Sequence, residues 1–477
     1  MACEELLQSV LGEKVSLRGS DTYISSVNSY YYRSARQKPA CVISPTSSED
    51  VAAAIKVLVQ YPDTKFAIRS GGHSPHPEVS NTDHGVTIDL SGLNSIEKSN
   101  ESDDIYRVGA GTNWGAVYKL LDGVGRSALG SRELKVGVGG LSLGNYADFI
   151  ANYGTSGGLS FFAPQRGWAC DSVVNFEVVL ASGEIVQANA KSHPDLFAAM
   201  KGSRSNFGIV TRMDIVTHLQ GNFWGGAIMY TIDTEDAQLD AFHDLKSGNY
   251  DPYAQVELSF LYVGAAQSFF VSNNLWYLQD VESPRAFQRF ANIQPQITNT
   301  MRKCNSTGFA TELWDAQPKD QYAVYVTTTF RLSPTIMKKI NTVWHSASQT
   351  LSSVPNILSV ITYQQCPPIV ETSTNALGFA QGSTPNEDLI IFIASLYWAS
   401  DEDSEMVRTL AKNFMEEIEA AATEEGVLHP FKYVNYAATW QDPLKSYGVA
   451  SLEKLEHAAH KYDPNGLFQK QALGFKL

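Results

Sequence analysis

Four clusters of glycines lie within about 140 residues of this chain, each beside the end of a predicted strand. They are Gly71-Gly72, Gly109-Ala110-Gly111, Gly137-Val138-Gly139-Gly140, and Gly202 with Asn206-Phe207-Gly208. Glycine lets the backbone turn sharply and brings its N–H groups close to an anion. Several such loops that meet would suit one extended ligand that carries phosphate. Plain turns are the other interpretation of the same spacing.

The first cluster belongs to the run Arg69-Ser70-Gly71-Gly72-His73, which places a basic residue, two glycines and an imidazole on one short turn. The imidazole adds an atom that can ligate, transfer protons or form a covalent bond. The third cluster is not a dinucleotide fingerprint, because Ser142 stands where the third glycine would be. The glycine loops therefore predict a phosphate-bearing cofactor, bound in a different way.

The chain has 477 residues, which is more than one hydrophobic core usually supports, so two domains are expected. Residues 1–218, with a core from about residue 37, alternate predicted strands and helices and indicate an α+β domain. Residues 219–428 contain longer predicted strands and indicate a substrate-binding domain, in which one antiparallel sheet is backed by helices. Residues 429–477 are expected to return to the first domain.

Several elements are predicted from local patterns. The run Thr46-Ser47-Ser48-Glu49 predicts a capping box for a helix over 50–60. Acidic residues from Asp401 to Ser404 predict the start of a helix that ends near Ala422. Strands are predicted over Cys41 to Pro45, Lys65 to Arg69, Val86 to Leu90, Asp171 to Leu180, Phe207 to Val216, Ala254 to Val263, Ala323 to Phe330 and Leu389 to Tyr397.

Composition excludes several classes of function. The formal net charge of −14 argues against nucleic acid or an anionic membrane as a partner. No stretch approaches the length of a membrane span and no secretory signal is visible, so we expect a soluble, intracellular monomer, with secretion left open if a leader was removed. The five cysteines are too scattered for a zinc site, so no metal is expected and they are interpreted mostly as core thiols.

Several motifs resemble the PCMH-type FAD-binding domain of the berberine bridge enzyme-like FAD-linked oxidases, in the vanillyl-alcohol-oxidase superfamily. They are Arg69 to Ser74, Gly85 to Ser91, Val108 to Gly111 with Trp114-Gly115, Val136 to Gly140, Gly167 to Asp171 and Asn206 to Thr211. The C-terminal runs Tyr433-Val434-Asn435-Tyr436 and Lys461 to Asn465 resemble the same family, while residues from about 220 to 430 match only in general character. The resemblance implies that the cofactor is FAD.

By this resemblance, the imidazole of His73 bonds covalently to the 8α-methyl group of the flavin. Bicovalent members of the family add a cysteine link in a pattern like Cys-Pro-Thr-Val-Gly, where this chain has Glu133-Leu134-Lys135-Val136-Gly137. Attachment through His73 alone is therefore expected. Further cofactor contacts are implied for Arg69, Ser70, Gly71, Gly72, Ser74, Gly109, Val136, Gly137, Gly139, Gly140, Gly144, Gly208, Ile209 and Val210.

Two other features of the resemblance concern the flavin pocket. The family position of Val136 faces the flavin edge where oxygen approaches, and a small valine there resembles oxidases; packing is the competing interpretation. The segment Asn145 to Ser156 looks inserted relative to the family. A harmless elaboration, a lid over the pocket and an artefact of the gene model all remain open for it.

The family places tyrosine phenols of the C-terminal segment over the flavin, so Tyr433, Asn435 and Tyr436 are the candidate catalytic residues. In a strand, Tyr433 and Asn435 would share a face while Tyr436 would point away, unless the chain bends. A phenol with a pKa near 10 needs a perturbing partner to act as a base at neutral pH, so orienting the substrate is the alternative role. Gln255 and Glu257 are further candidates in the second domain.

The sequence thus predicts a flavoprotein oxidase. We expect it to take a hydride from a small organic substrate, a secondary metabolite with an alcohol, amine or phenol, and to pass the electrons to molecular oxygen, giving hydrogen peroxide. Cyclisation or isomerisation without net redox and a flavin-poor binding protein are two alternatives. A third is a serine hydrolase, because Gly140-Leu141-Ser142-Leu143-Gly144 matches a nucleophile elbow.

Overall fold

The computed structural model describes residues 2–143, 159–369, 375–379 and 388–477. Gly144 and the apparent insertion from Asn145 to Ser156 lie outside the described residues. Within the described parts, the chain forms three β-sheets with helices packed around them. This mixture of helices and antiparallel sheets confirms the predicted fold class.

The first sheet has four short strands in the order β1-β2-β4-β3. They are β1 (Val15–Leu17), β2 (Cys41–Ile43), β3 (Phe66–Arg69) and β4 (Val86–Asp89). Both β2 and β3 pair in parallel with β4. Because parallel strands end at the same edge of a sheet, the turn from Ser70 to His73 leaves this sheet beside the end of β4.

The second sheet has six strands, in the order β5-β6-β10-β8-β9 with β7 beside β10. They are β5 (Ile96–Lys98), β6 (Ile105–Gly109), β7 (Arg126–Ala128), β8 (Val173–Leu180), β9 (Ile185–Asn189) and β10 (Gly208–Leu219). All of these pairings are antiparallel. Gly109 ends β6 and Gly208 begins β10, so two of the four glycine clusters lie at strand ends, as predicted.

The third sheet is antiparallel and runs in the order β14-β11-β13-β12-β17-β18-β16-β19, with β15 beside β11. Its strands are β11 (Phe223–Thr231), β12 (Ala254–Val263), β13 (Ser268–Tyr277), β14 (Gln296–Asn299), β15 (Arg302–Cys304), β16 (Tyr322–Arg331), β17 (Leu358–Gln365), β18 (Leu389–Trp398) and β19 (Leu428–His429). This is the antiparallel sheet that the sequence predicts for the middle of the chain.

The helices of the described residues alternate with these strands. They are α1 (Ala2–Gln8), α2 (Asp21–Asn28), α3 (Ser48–Leu58), α4 (Trp114–Asp122), α5 (Val138–Ser142), α6 (Ala163–Arg166), α7 (Pro194–Met200), α8 (Glu235–Ser247), α9 (Gln288–Ala291), α10 (Ser306–Asp315), α11 (Pro334–Thr350), α12 (Ser404–Glu424), α13 (Val449–Tyr462) and α14 (Leu467–Lys470). No helix in the described ranges is long and apolar enough to cross a membrane.

The capping box of α3 lies one residue later than the sequence analysis predicts. Ser47, not Thr46, is the N-cap, and its hydroxyl accepts a hydrogen bond from the Asp50 N–H at 3.2 Å. The Asp50 carboxylate accepts the Ser47 N–H in return, at 3.1 Å. Aspartate therefore closes the box in place of the glutamate that the pattern suggested.

Two hydrophobic cores divide the buried side chains. One lies between the third sheet and the helices on its outer face, with Phe242 of α8, Trp344 of α11 and Phe414 of α12 among its members. The other joins the first two sheets to the opposite face of the third. The C-terminal tail returns to the first sheet, where Phe66 donates its N–H to the Gln471 carbonyl and accepts from the Leu473 N–H. The exact domain boundaries near residues 218 and 428 stay a prediction.

The interpretation of the cysteines as mostly core thiols is wrong for two of them. Cys3 in α1 and Cys41 in β2 form a disulfide. The pair is 38 residues apart in sequence, so the bond closes a long loop and fixes α1 to the first sheet. Cys170, in contrast, is a buried thiol as expected.

Replacing Cys3 by serine is expected to lower the free energy of unfolding by about 2–4 kcal/mol, because the unfolded chain regains the freedom that the closed loop removes. Urea denaturation with and without dithiothreitol measures the effect. The reductant should destabilise the native protein by a similar amount and leave the variant unchanged. A native protein that is indifferent to dithiothreitol would contradict the prediction.

Candidate functional site

Three of the four glycine clusters meet at the edge where β3 ends. The Ser70 hydroxyl donates to the Ala110 carbonyl at 2.6 Å. A Cβ atom on Gly71 would lie 2.4 Å from the backbone nitrogen of Gly137, and one on Gly139 would lie 2.9 Å from the Ala110 oxygen. Such distances are too short for any side chain, so glycine is required for the loops to touch. The fourth cluster leads into β10, where the Thr211 carbonyl accepts the Ala110 N–H at 3.0 Å.

The sequence suggests that Arg69 binds an anionic ligand. In the structure its guanidinium contacts protein groups instead. Its guanidinium donates to the Asp89 carboxylate at 3.0 Å and to the Ser26 carbonyl at 2.7 Å, and it lies over the Tyr30 ring. Its charge is therefore balanced within the protein. A Cβ on Gly72, whose φ is +72°, would lie 2.9 Å from the guanidinium nitrogen, so Arg69 shapes the turn. The contact between Arg69 and the cofactor stays a prediction, and these partners within the protein do not support it.

The His73 imidazole is buried beside two aromatic rings. It stacks on Tyr31 with the ring centres 4.7 Å apart, and the Trp314 ring lies 5.9 Å away. Its Nδ1 is 3.8 Å from a carboxylate oxygen of Glu133. Burial lowers the pKa of His73 to about 4, and the Glu133 charge counters this only in part. The imidazole is therefore neutral at pH 7.

Two of the residues around His73 were not predicted from the sequence, and the third, Glu133, was named for a different reason. Tyr31 and Trp314 come from distant parts of the chain, and nothing in their local sequence marks them. Glu133 was noted only because it replaces the cysteine of bicovalent relatives. That replacement was the available signal, since a residue that takes the place of a second flavin link is expected to lie close to the first.

A fully buried polar network joins this site to the third sheet. Arg132 forms an ion pair with Glu257 of β12, and both side chains are 0% exposed. The Arg132 guanidinium also donates to Gln364 of β17 at 2.9 Å, and the Gln364 amide donates to the Tyr436 hydroxyl at 3.2 Å. Asn274 donates to the second Glu257 oxygen at 3.1 Å. Glu257, a candidate from sequence, thus lies in the site, while Arg132 and Gln364 were missed.

The segment Tyr433 to Tyr436 is a turn, which corrects the picture of a strand. The Tyr436 N–H donates to the Tyr433 carbonyl at 2.9 Å, and the two rings pack edge to face with centres 4.8 Å apart. The Asn435 amide donates to the Tyr433 hydroxyl at 2.7 Å. The bend therefore brings together all three candidate catalytic side chains. Burial raises the pKa of Tyr433 well above its usual value, so its phenol stays protonated.

The remaining predicted residues lie in the same loops or in the helix and strand that adjoin them. Ser74 is buried, and its hydroxyl accepts the His76 N–H at 3.2 Å. Val136 is fully buried, and its carbonyl accepts the Trp114 N–H at 3.0 Å. Gly140 lies in α5, while Ile209 and Val210 are buried in β10 opposite β8. Gly144 falls outside the described residues.

Buried polar atoms around these loops fit a polar cofactor such as FAD. Within the described ranges, the hydroxyls of Thr112 and Ser142, the indole N–H of Trp168 and the amide oxygen of Asn435 are buried without a hydrogen-bond partner. Leaving such a group unpaired costs about 1–3 kcal/mol, so a ligand that bonds to them would recover that energy. The same observation bears on the hydrolase alternative, because no histidine of the described chain bonds to Ser142 as a nucleophile elbow requires.

Comparison with known proteins shows the family of this chain. The sequence profile of the FAD binding domain matches residues 39–189. The FAD-dependent monooxygenase sdcF of Emericella nidulans is 34% identical, over an alignment that includes all of this chain and 98% of sdcF. The chain belongs to the family of FAD-dependent oxidoreductases. FAD is thus the cofactor of this flavoenzyme, and a small molecule is its substrate.

Solved structures show the same fold. 6-Hydroxy-D-nicotine oxidase from Arthrobacter nicotinovorans superposes on the flavoenzyme with a TM-score of 0.77 at 17% identity, over 96% of each chain. Glucooligosaccharide oxidase from Acremonium strictum superposes with a TM-score of 0.74 at 19% identity, over 100% of this chain and 98% of that one. These structures confirm the fold that the resemblance to the berberine bridge enzyme-like FAD-linked oxidases implied.

Proposed function

We propose that this enzyme oxidises a small organic molecule by hydride transfer to FAD bound covalently through His73, with molecular oxygen as the final acceptor and hydrogen peroxide as a product. FAD supplies the two-electron acceptor. One observation carries the proposal: the neutral His73 imidazole stacks on Tyr31 and lies beside Trp314, at the point where three glycine loops meet.

The covalent link is supported by the chemistry of the two neighbouring positions. The glucooligosaccharide oxidase structure is described as containing a 6-S-cysteinyl, 8α-N1-histidyl FAD. In this chain His73 supplies the imidazole, and Glu133 stands in the family position of the cysteine. A carboxylate cannot form the thioether, so a single link through His73 is expected.

We place the substrate beside the polar network that joins Arg132 and the turn from Tyr433 to Tyr436 to the third sheet. Arg132 and Glu257 neutralise each other, so this surface carries no net charge from the pair. The protonated Tyr433 phenol can donate a hydrogen bond, and Tyr436 offers a second hydroxyl beside Gln364. These groups suit an uncharged substrate with an alcohol, amine or phenol. We assign Tyr433, Asn435 and Tyr436 the role of orienting that group and moving its proton.

The covalent link is tested by denaturing the purified enzyme in acid. The yellow colour and a mass increase equal to FAD are expected to stay with the peptide that contains His73. In His73→Ala, any FAD that binds should be released completely, because the nitrogen that forms the proposed bond is absent. Free FAD released from the native enzyme would overturn the covalent link.

The fate of oxygen separates an oxidase from a monooxygenase, the activity in the name of sdcF. The photoreduced enzyme is mixed with air-saturated buffer, and hydrogen peroxide is measured against the flavin reoxidised. One peroxide per flavin within seconds is expected. Reoxidation over many minutes would indicate a dehydrogenase. Incorporation of an oxygen atom from ¹⁸O₂ into an identified product, with consumption of an added reductant, would indicate a monooxygenase.

A further inference from the structure

We propose that Glu133 is a positioning residue that promotes formation of the bond between His73 and FAD. The inference rests on the covalent attachment proposed above. Its basis is the placement of the two side chains: His73 is 5% exposed, Glu133 is 1% exposed, and a carboxylate oxygen lies 3.8 Å from Nδ1 of the imidazole. A carboxylate enclosed with a histidine in this way acts on it with little screening by water.

The loop around Glu133 holds the carboxylate in this orientation. One oxygen accepts the backbone N–H of Lys135 at 3.3 Å, and the Glu133 N–H itself donates to the Ser131 hydroxyl at 3.0 Å. The other oxygen is the one that faces His73. Two glycine-loop neighbours, Arg69 and Lys135, act on the imidazole with positive charge and lower its pKa. Glu133 is the negative charge that opposes them.

Attachment forms a bond between an imidazole nitrogen and the 8α-methyl carbon, and it breaks one C–H bond of that methyl group and the imidazole N–H bond. The two electrons released reduce the flavin, and molecular oxygen then accepts them. The two hydrogens leave in hydrogen peroxide, so atoms and electrons balance. The imidazole carries positive charge after the new bond forms and before its N–H proton leaves. The Glu133 carboxylate is placed to stabilise that charge and to favour loss of the proton.

Attachment can be followed directly, without measuring turnover. Apoprotein is prepared from riboflavin-starved cells and mixed with FAD in air, and the fraction of chain with covalent FAD is measured by mass spectrometry after acid denaturation. Glu133→Gln keeps the size of the side chain and removes its charge, so we expect attachment to slow by about 100-fold. Glu133→Asp keeps the charge on a shorter side chain. Its attachment rate should lie between those of the native protein and Glu133→Gln.

A matched control removes a different carboxylate beside a histidine. Glu235 contacts His345 at 2.9 Å on the outer side of the third sheet, with the two side chains only partly buried. Glu235→Gln should attach FAD at the native rate. Non-covalent FAD binding, measured by quenching of flavin fluorescence, shows whether each variant holds the cofactor. If Glu133→Gln fails to bind FAD at all, an attachment rate in Glu133→Asp within about 10-fold of the native rate supports the proposal, and a rate about 100-fold below the native one overturns it.

The pH dependence of attachment gives a second readout. With the His73 pKa at about 4, the native rate should stay constant from pH 8 to about pH 5 and fall as the imidazole becomes protonated near pH 4. Because the Glu133 charge raises the His73 pKa, the fall should move to lower pH in Glu133→Gln. A purely structural role would leave the midpoint in place.

The outcomes distinguish this proposal from the function on which it rests. If the native apoprotein attaches no FAD, the covalent link itself is refuted and the role of Glu133 with it. If the native protein attaches FAD and Glu133→Gln does so at the same rate with the same pH midpoint, only the role of Glu133 is refuted.

Discussion

Replacing Arg132 by methionine is expected to lower the free energy of unfolding by about 3–5 kcal/mol. Arg132 and Glu257 form an ion pair in which neither side chain is exposed. Methionine fills much of the same space but leaves the Glu257 carboxylate charged in the interior, and it removes the donor to the Gln364 amide oxygen. Urea denaturation at pH 7, with the native protein in parallel, measures the loss.

A double variant separates the buried charge from lost packing. Arg132→Met with Glu257→Leu leaves no unpaired ion, so it should recover more than half of the stability lost by the single change. Lys98→Met breaks an ion pair with Asp103 on the surface and should leave the urea midpoint unchanged, because water screens exposed pairs. A double variant as unstable as the single one would mean that packing, not the unpaired charge, dominates.

The strands of the third sheet could be predicted closely from the sequence. β12 spans the predicted residues Ala254–Val263, and β16 and β18 extend the predicted strands by one residue at one or both ends. The reason is local: these are long runs of β-branched and aromatic residues bounded by turns, and they form strands largely independent of their partners. The start of α12 could be predicted for a similar reason, because the acidic residues beside it are a signal in the local sequence.

The contacts that make the site could not be predicted, because they depend on which distant segments pair. His73 stacks on Tyr31 and lies beside Trp314, and Arg132 reaches Glu257, across tens to hundreds of residues. The periodicity of hydrophobic residues predicts which face of a helix or strand is buried. It does not predict which other element packs against that face. Family motifs located the loops correctly, yet they did not reveal that Glu133 faces His73.

Arg69 shows how tertiary pairing overrides a motif. The sequence places it beside glycines, which suggests an anion ligand. In the structure β3 pairs in parallel with β4, and the register sets Arg69 directly against Asp89. The two side chains form a buried ion pair at 3.0 Å. The residue therefore stabilises the base of the glycine turn, a role that required knowledge of the strand register.

Replacing Gly137 by alanine is expected to reduce covalently bound flavin to less than about a tenth of the native level and to cost about 1–3 kcal/mol of stability. The added Cβ would lie 2.2 Å from the backbone nitrogen of Gly71 and 2.3 Å from the Ser70 hydroxyl oxygen. Backbone atoms cannot move aside as a flexible side chain can. The two loops must separate, which displaces His73 from its place beside the aromatic rings.

Gly221→Ala is the matched control, because nothing lies within 4 Å of its added Cβ and its φ is not in the left-handed region. Flavin retained after acid denaturation is measured for both variants, with urea midpoints beside it. Gly71→Ala strains the same contact from the other side, since its Cβ would lie 2.4 Å from the Gly137 nitrogen. The double variant should therefore lose less than the sum of the two single losses, because either change alone already forces the loops apart. Full flavin attachment in Gly137→Ala would show that the loops adapt and that their contact does not position His73.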